Sequence, residues 1–188
     1  MPREYQHQLK TALSERFDDL ELIEEWNAFA GPDYRFQYSP RVDIAFGPYS
    51  NVPGGNQIEN YNRLSADHDM NRFLRQIYDF HCQNIDLQQY DEVIIPPFLD
   101  VLRSNLNARC FLAIEIENNN SRKHTLGSIV NAASLGRVGI GIAYSNKAFN
   151  MFRRILNYLA FLRRVDKNTY DTTNFLIITR EQMNEIMI

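Results

Sequence analysis

Cys110-Phe111-Leu112-Ala113-Ile114-Glu115-Ile116-Glu117 is an apolar run that ends in two acids. Successive side chains of a β-strand point to opposite faces. Leu112, Ile114 and Ile116 therefore share one face, and Ala113, Glu115 and Glu117 the other. Downstream, the pattern predicts a helix over 121–135 with Ser121 as its N-cap, a strand over 137–144, a helix over 146–165 and a strand over 174–179. Strands alternating with helices of this length predict a parallel sheet covered by helices, an α/β fold.

Upstream, Arg41-Val42-Asp43-Ile44-Ala45-Phe46 repeats the pattern of the octet. Val42, Ile44 and Phe46 share a face, with Asp43 opposite them. A buried carboxylate without a partner is costly and takes up a proton instead. A divalent cation is a suitable partner for clustered carboxylates, and hard oxygen ligands suit Mg²⁺ or Mn²⁺. A lone Glu-x-Glu on a strand is commonly a solvated sheet face. Here both acids stand at the C-terminal end of a strand just before a helix, where open α/β sheets place their sites.

The first segment reads as one amphipathic helix through Leu9, Leu13, Phe17, Leu20, Ile23 and Trp26, broken at Gly31-Pro32-Asp33. Two short strands, 34–38 and 41–46, follow around Ser39-Pro40, and then a loop over 47–62. Helical spacing resumes at Ser65 with Met70, Phe73, Leu74 and Ile77, and a short helix starts near Pro97. The segment 65–107 is too short to bury a core of its own. Together with the loop before it, it reads as an insertion over 47–107 within one domain spanning 1–188, available for a homodimer contact.

The chain has 188 residues, 44% hydrophobic and 23% charged, which suits a single globular domain. A net charge of -3 and a pI near 5.8 confine any phosphate-binding surface to a local patch. Cys82 and Cys110 read as small buried residues in a reducing compartment. The N-terminus lacks a secretory apolar segment, and no run is long enough to span a membrane; both point to a cytoplasmic protein. Gly139-Ile140-Gly141 lies inside a strand and reads as a site of close helix packing, not a nucleotide loop. Zinc spacing and a Ser-His-Asp arrangement are both absent from the sequence, and no organic cofactor is expected.

The order helix, strand with Asp, strand with Glu-x-Glu, helix, strand resembles the restriction-endonuclease-like, PD-(D/E)XK nuclease fold. The resemblance covers roughly residues 5–145: Arg41-Val42-Asp43-Ile44 is similar to the family's Asp strand, and Ile114-Glu115-Ile116-Glu117 to its (D/E)-x-K strand. It implies a core of helix, three strands, helix and strand, carrying here a helical insertion and an extra C-terminal helix and strand. It implies that Asp43, Glu115 and Glu117 bind metal, joined by the Ile116 carbonyl. Glu117 stands where the family has Lys, and the interval from Asp43 to Glu115 is long for the family. The family also places an acid on the first helix that supports the metal through water; Glu24, four residues after Leu20, is the candidate ahead of Glu25, with a solvated face as the other reading.

Lys123 is either a catalytic cation that has moved from the strand to the helix or a surface partner of Glu117. Arg122, Arg153 and Arg154 are candidate nucleic-acid contacts, or the wet side of their helices. The expected function is a Mg²⁺- or Mn²⁺-dependent endonuclease, a deoxyribonuclease of restriction or repair, with Asp43, Glu115, Glu117 and Lys123 as its catalytic residues. The alternative is a catalytically silent protein of the same fold that binds nucleic acid or a protein partner.

Overall fold

A computed structural model describes residues 2–28, 39–50, 57–118 and 121–188. The elements run α1 (Pro2–Arg16), β1 (Leu22–Asn27), β2 (Arg41–Phe46), α2 (Ile58–Ala66), α3 (His68–Asn84), α4 (Phe98–Val101), β3 (Cys110–Glu117), α5 (Arg122–Leu135), β4 (Gly136–Ala143), α6 (Asn146–Arg164), β5 (Phe175–Thr179) and α7 (Arg180–Met187). The strands form one five-stranded sheet in sequence order. β1, β2 and β3 are antiparallel neighbours, and β3, β4 and β5 are parallel.

Every residue of β4 is buried, as expected for a parallel strand covered on both faces. One face of the sheet packs Ile44, Ile114, Ile140 and Leu176 against Leu13 of α1, Phe73 and Ile77 of α3 and Met183 of α7. The other packs Ala45, Ala113 and Ile177 against Ile129 and Ala132 of α5 and Phe152 of α6. A Cβ on Gly139 would stand 2.9 Å from the Ala132 carbonyl carbon, so this glycine sets how closely α5 lies on β4.

The mixed α/β topology loosely resembles the restriction-endonuclease-like architecture, with several local differences from the expected pattern. α1 stops at Arg16; Ile23 and Trp26 belong to β1, which supplies the first strand of the sheet. Their spacing continued the helical stripe by coincidence across the turn at 17–20. The expected strand 34–38 and Pro32-Asp33 lie outside the described residues. Residues 58–62, read as loop, begin α2. The insertion is not an appendage, because α3 lays Phe73, Leu74 and Ile77 into the common core. α7 was not foreseen; Thr179 starts it with a reciprocal capping box to Gln182.

Candidate acidic site

The β2–β3 ladder runs through Phe46 with Leu112, Ala45 with Ala113 and Ile44 with Ile114. Continued by one residue it would set Asp43 opposite Glu115. The Asp43 carboxylate takes over there, its Oδ2 accepting the Ile116 amide hydrogen at 2.7 Å. On its other side Asp43 faces Glu25, between the pairs Glu24 with Ile44 and Trp26 with Val42. Glu25 has φ of 51°, a left-handed conformation that is uncommon for a residue with a side chain. The ladder is thus interrupted on both sides of Asp43.

Period-two alternation puts Glu115 and Glu117 on the α5 side with Ala113, and both are buried. Glu115 is held well above the usual carboxylate range, first by burial and then by the charges of Asp43, Glu117 and Glu25. Asp43 is pushed up to about 6 by burial, against the lowering effect of the Ile116 hydrogen bond. Arg41 offsets part of this charge; its Nε lies 3.0 Å from Glu25 Oε2. Gln6, buried on α1, donates to the Asp43 carbonyl oxygen at 2.9 Å and to Glu25 Oε1 at 3.3 Å.

Glu25, not Glu24, is therefore the additional acid of this cluster, and it is on β1, not on the first helix. Glu24 is half-buried, and its covered Oε1 lies 3.4 Å from Nδ1 of the exposed His7. Gln6 as a partner of this cluster, and Glu25 ahead of Glu24, become legible only when α1 ends before residue 22. Lys123 also differs from expectation. The buried positions of α5 are Thr125, Ile129, Ala132, Ala133 and Leu135. Lys123 precedes Thr125 by two residues, about 200° around the helix, so it faces away and is exposed. Ser128 of α5 reaches Glu117, its hydroxyl donating to Oε2 at 3.5 Å. Ser121 occupies the N-cap position with no side-chain cap hydrogen bond.

Among the described residues, no three His, Cys, Asp or Glu side chains are grouped to hold one metal ion. The expected three-carboxylate cage is not formed by these side chains as they stand. Asp43 is engaged by the Ile116 amide, and Glu117 is turned toward Ser128. The donor chemistry of Asp43 and Glu115 nonetheless fits a hard cation that one or two carboxylates hold, with waters and a substrate phosphate completing its shell.

The parallel connections bring further charge to this edge of the sheet. α5 and α6 both start where β3 and β4 end, and the Tyr144 amide donates to the Glu117 carbonyl oxygen at 2.9 Å. Their first turns carry exposed Arg122, Lys123, His124 and Lys147. Arg180 opens α7 on the same edge, 4.6 Å over the Tyr144 ring. Arg153 and Arg154 lie two turns farther along α6; Arg153 covers the Phe149 ring at 4.2 Å and Arg154 is exposed. No helix among the described residues is long and apolar enough to cross a membrane. No family model, curated protein or solved structure matches the chain, so its likeness to the nuclease fold rests on topology and on the acids at the end of β3.

Proposed function

We propose that this chain is a nuclease-fold protein that binds the backbone of a nucleic acid across the edge where β3 and β4 end. The observation that carries this reading is the arrangement of charge there: exposed Arg122, Lys123 and Lys147 open α5 and α6 at the edge where Glu115 and Glu117 are buried and Asp43 is half-buried. The cations and the amides at the starts of α5 and α6 can receive phosphates. This local patch answers the acidic net charge of the chain. The lack of a three-ligand group among the described residues and the outward Lys123 favour a binding module over a preset hydrolase. Titration of a labelled DNA duplex in EDTA, at rising salt, tests the proposal. Affinity should fall steeply and linearly on a log–log plot; absence of binding at low salt would reject it.

A second reading, metal-dependent phosphodiester hydrolysis, is favoured by the raised affinity of Asp43 and Glu115 for protons. Carboxyl groups that hold protons this firmly gain from a cation that replaces them. Asp43 and Glu115 would hold Mg²⁺ or Mn²⁺, together with the Ile116 carbonyl. A bound cation would supply acidified water and offset phosphoryl charge. Glu117 would orient the water, with Ser128 fixing its carboxylate, and Arg122 would hold the phosphate. Incubation with plasmid DNA and Mn²⁺, against EDTA and Asp43→Ala controls, separates this reading from simple binding.

A further inference from the structure

At the opposite end of the sheet from the acids, Arg137 stands at the start of β4 and is only 1% exposed. Six residues of strand, about 20 Å, separate it from Ala143 at the acidic edge. Its Nη1 donates to the Asn105 carbonyl oxygen at 2.7 Å, and its Nη2 to Asn62 Oδ1 at 3.2 Å. Its Nε is buried without a hydrogen-bond partner among the described residues. Both of these partners are neutral. Burial and the nearby Arg103 charge lower its affinity for its proton. A buried guanidinium without an anion is costly, and an Arg in that state is uncommon in a settled core.

Arg137 lines a cavity of about 490 Å³, within the range typical of small-molecule sites. Arg103 lines it as well, and among the described residues none of its lining is acidic. The remaining wall is largely apolar: Leu102 is buried, whereas Leu99 and Leu106 are 53% and 61% exposed at the rim. The site thus joins two cations, one with an unpartnered buried N–H, to an apolar wall open to solvent. A planar guanidinium is suited to the oxygen pair of a carboxylate or phosphate.

We propose that this cavity binds a small organic oxyanion, its head held by Arg137 and Arg103 and its apolar body lying on Leu99, Leu102 and Leu106. The head is a carboxylate or a phosphate, and the two are separated by the probes below. The site is independent of the acidic edge and of any activity there.

Thermal unfolding of the full chain tests this, at matched ionic strength in chloride, with inorganic phosphate, hexanoate, hexyl phosphate or neutral hexanol added. Hexanoate or hexyl phosphate should raise Tm saturably by several degrees, more than inorganic phosphate does, and hexanol should not. The better of the two organic anions identifies the head. Arg137→Met should abolish the shift, and Arg103→Ser should raise the concentration needed for half the effect by tenfold or more. If Arg137→Met does not fold, Arg103→Ser, an exposed rim position, decides the matter alone. No shift beyond the chloride control, or an unchanged response in Arg103→Ser, would overturn the proposal. An equal response to inorganic and hexyl phosphate would overturn the apolar half of it.

Discussion

Asp43 and Ile116 are joined by a 2.7 Å hydrogen bond from the Ile116 amide to a side-chain oxygen, one residue beyond the last β2–β3 ladder pair. A side chain thus does there what backbone does in the rest of the ladder. This places a carboxylate between two strands, next to Glu115, in surroundings that oppose its ionisation. The cost is electrostatic, so it has a sign and a pH range that can be measured.

The first prediction concerns the cation-free protein. Asp43 ionises near 6 when folded, against an ordinary value of 3.8. Below pH 3.8 it is protonated in both states and carries no penalty. Between 3.8 and 6 the unfolded chain loses the proton and the folded one keeps it. The Asp43 contribution therefore falls as pH rises through this window and is flat above it, a loss of about 3 kcal/mol. Glu115 acts in the same direction. Urea unfolding in EDTA at intervals from pH 4 to 7.5, for wild type and Asp43→Asn, isolates the Asp43 share. A difference between the two proteins that does not change with pH would contradict this account.

Asp43→Asn keeps an oxygen for the Ile116 amide and removes the ionisable proton. It should be more stable than wild type at pH 7.5 by about 1–3 kcal/mol and close to it at pH 4. Added Mn²⁺ should raise wild-type stability at pH 7.5 and leave Asp43→Asn nearly unmoved. Equal responses of the two proteins to Mn²⁺ would place the cation elsewhere.

Much of this arrangement can be read in the sequence, and the misses have physical causes. The octet 110–117 declares its faces because an apolar strand with acids on one parity has a single reasonable register. β1 is hidden because Leu20, Ile23 and Trp26 fall at helical spacing although a turn separates Leu20 from the strand. Consequently Glu24 and Glu25 exchange roles: Glu24 pairs with Ile44 in the ladder, and the left-handed Glu25 is the acid that faces Asp43. On α5, Thr125 and Ala132 are buried more fully than the larger Leu126 and Val130. Close approach of the helix to Gly139 selects small side chains at the contact, so counting only bulky apolar residues misplaces the helix phase, and Lys123 with it.

That contact gives a third prediction. Gly139→Ala would drive a methyl group to 2.9 Å from the Ala132 carbonyl carbon and from the Phe175 ring. A backbone neighbour cannot swing aside as a flexible side chain can. The variant should lose about 1–3 kcal/mol, read as a lower urea midpoint. Gly127→Ala, where the added carbon meets nothing within 4 Å, should gain up to about 1 kcal/mol from helix propensity. A Gly139→Ala protein as stable as wild type would mean that α5 lies farther from β4 than described.

The central claim, that nucleic acid lies across the edge where β3 and β4 end, is tested most directly by charge reversal on a labelled duplex in EDTA at fixed low salt. Arg122→Glu with Lys147→Glu alters exposed positions on that edge, and Arg63→Glu alters an exposed position on α2 beside Gly47, where β2 begins its exit at the other end of the sheet. The double variant should bind at least about tenfold more weakly, each lost phosphate contact also reducing the salt slope by about one, while Arg63→Glu binds within about twofold of wild type. Equal affinity of the double variant and wild type, or a loss as large in Arg63→Glu, would contradict the claim.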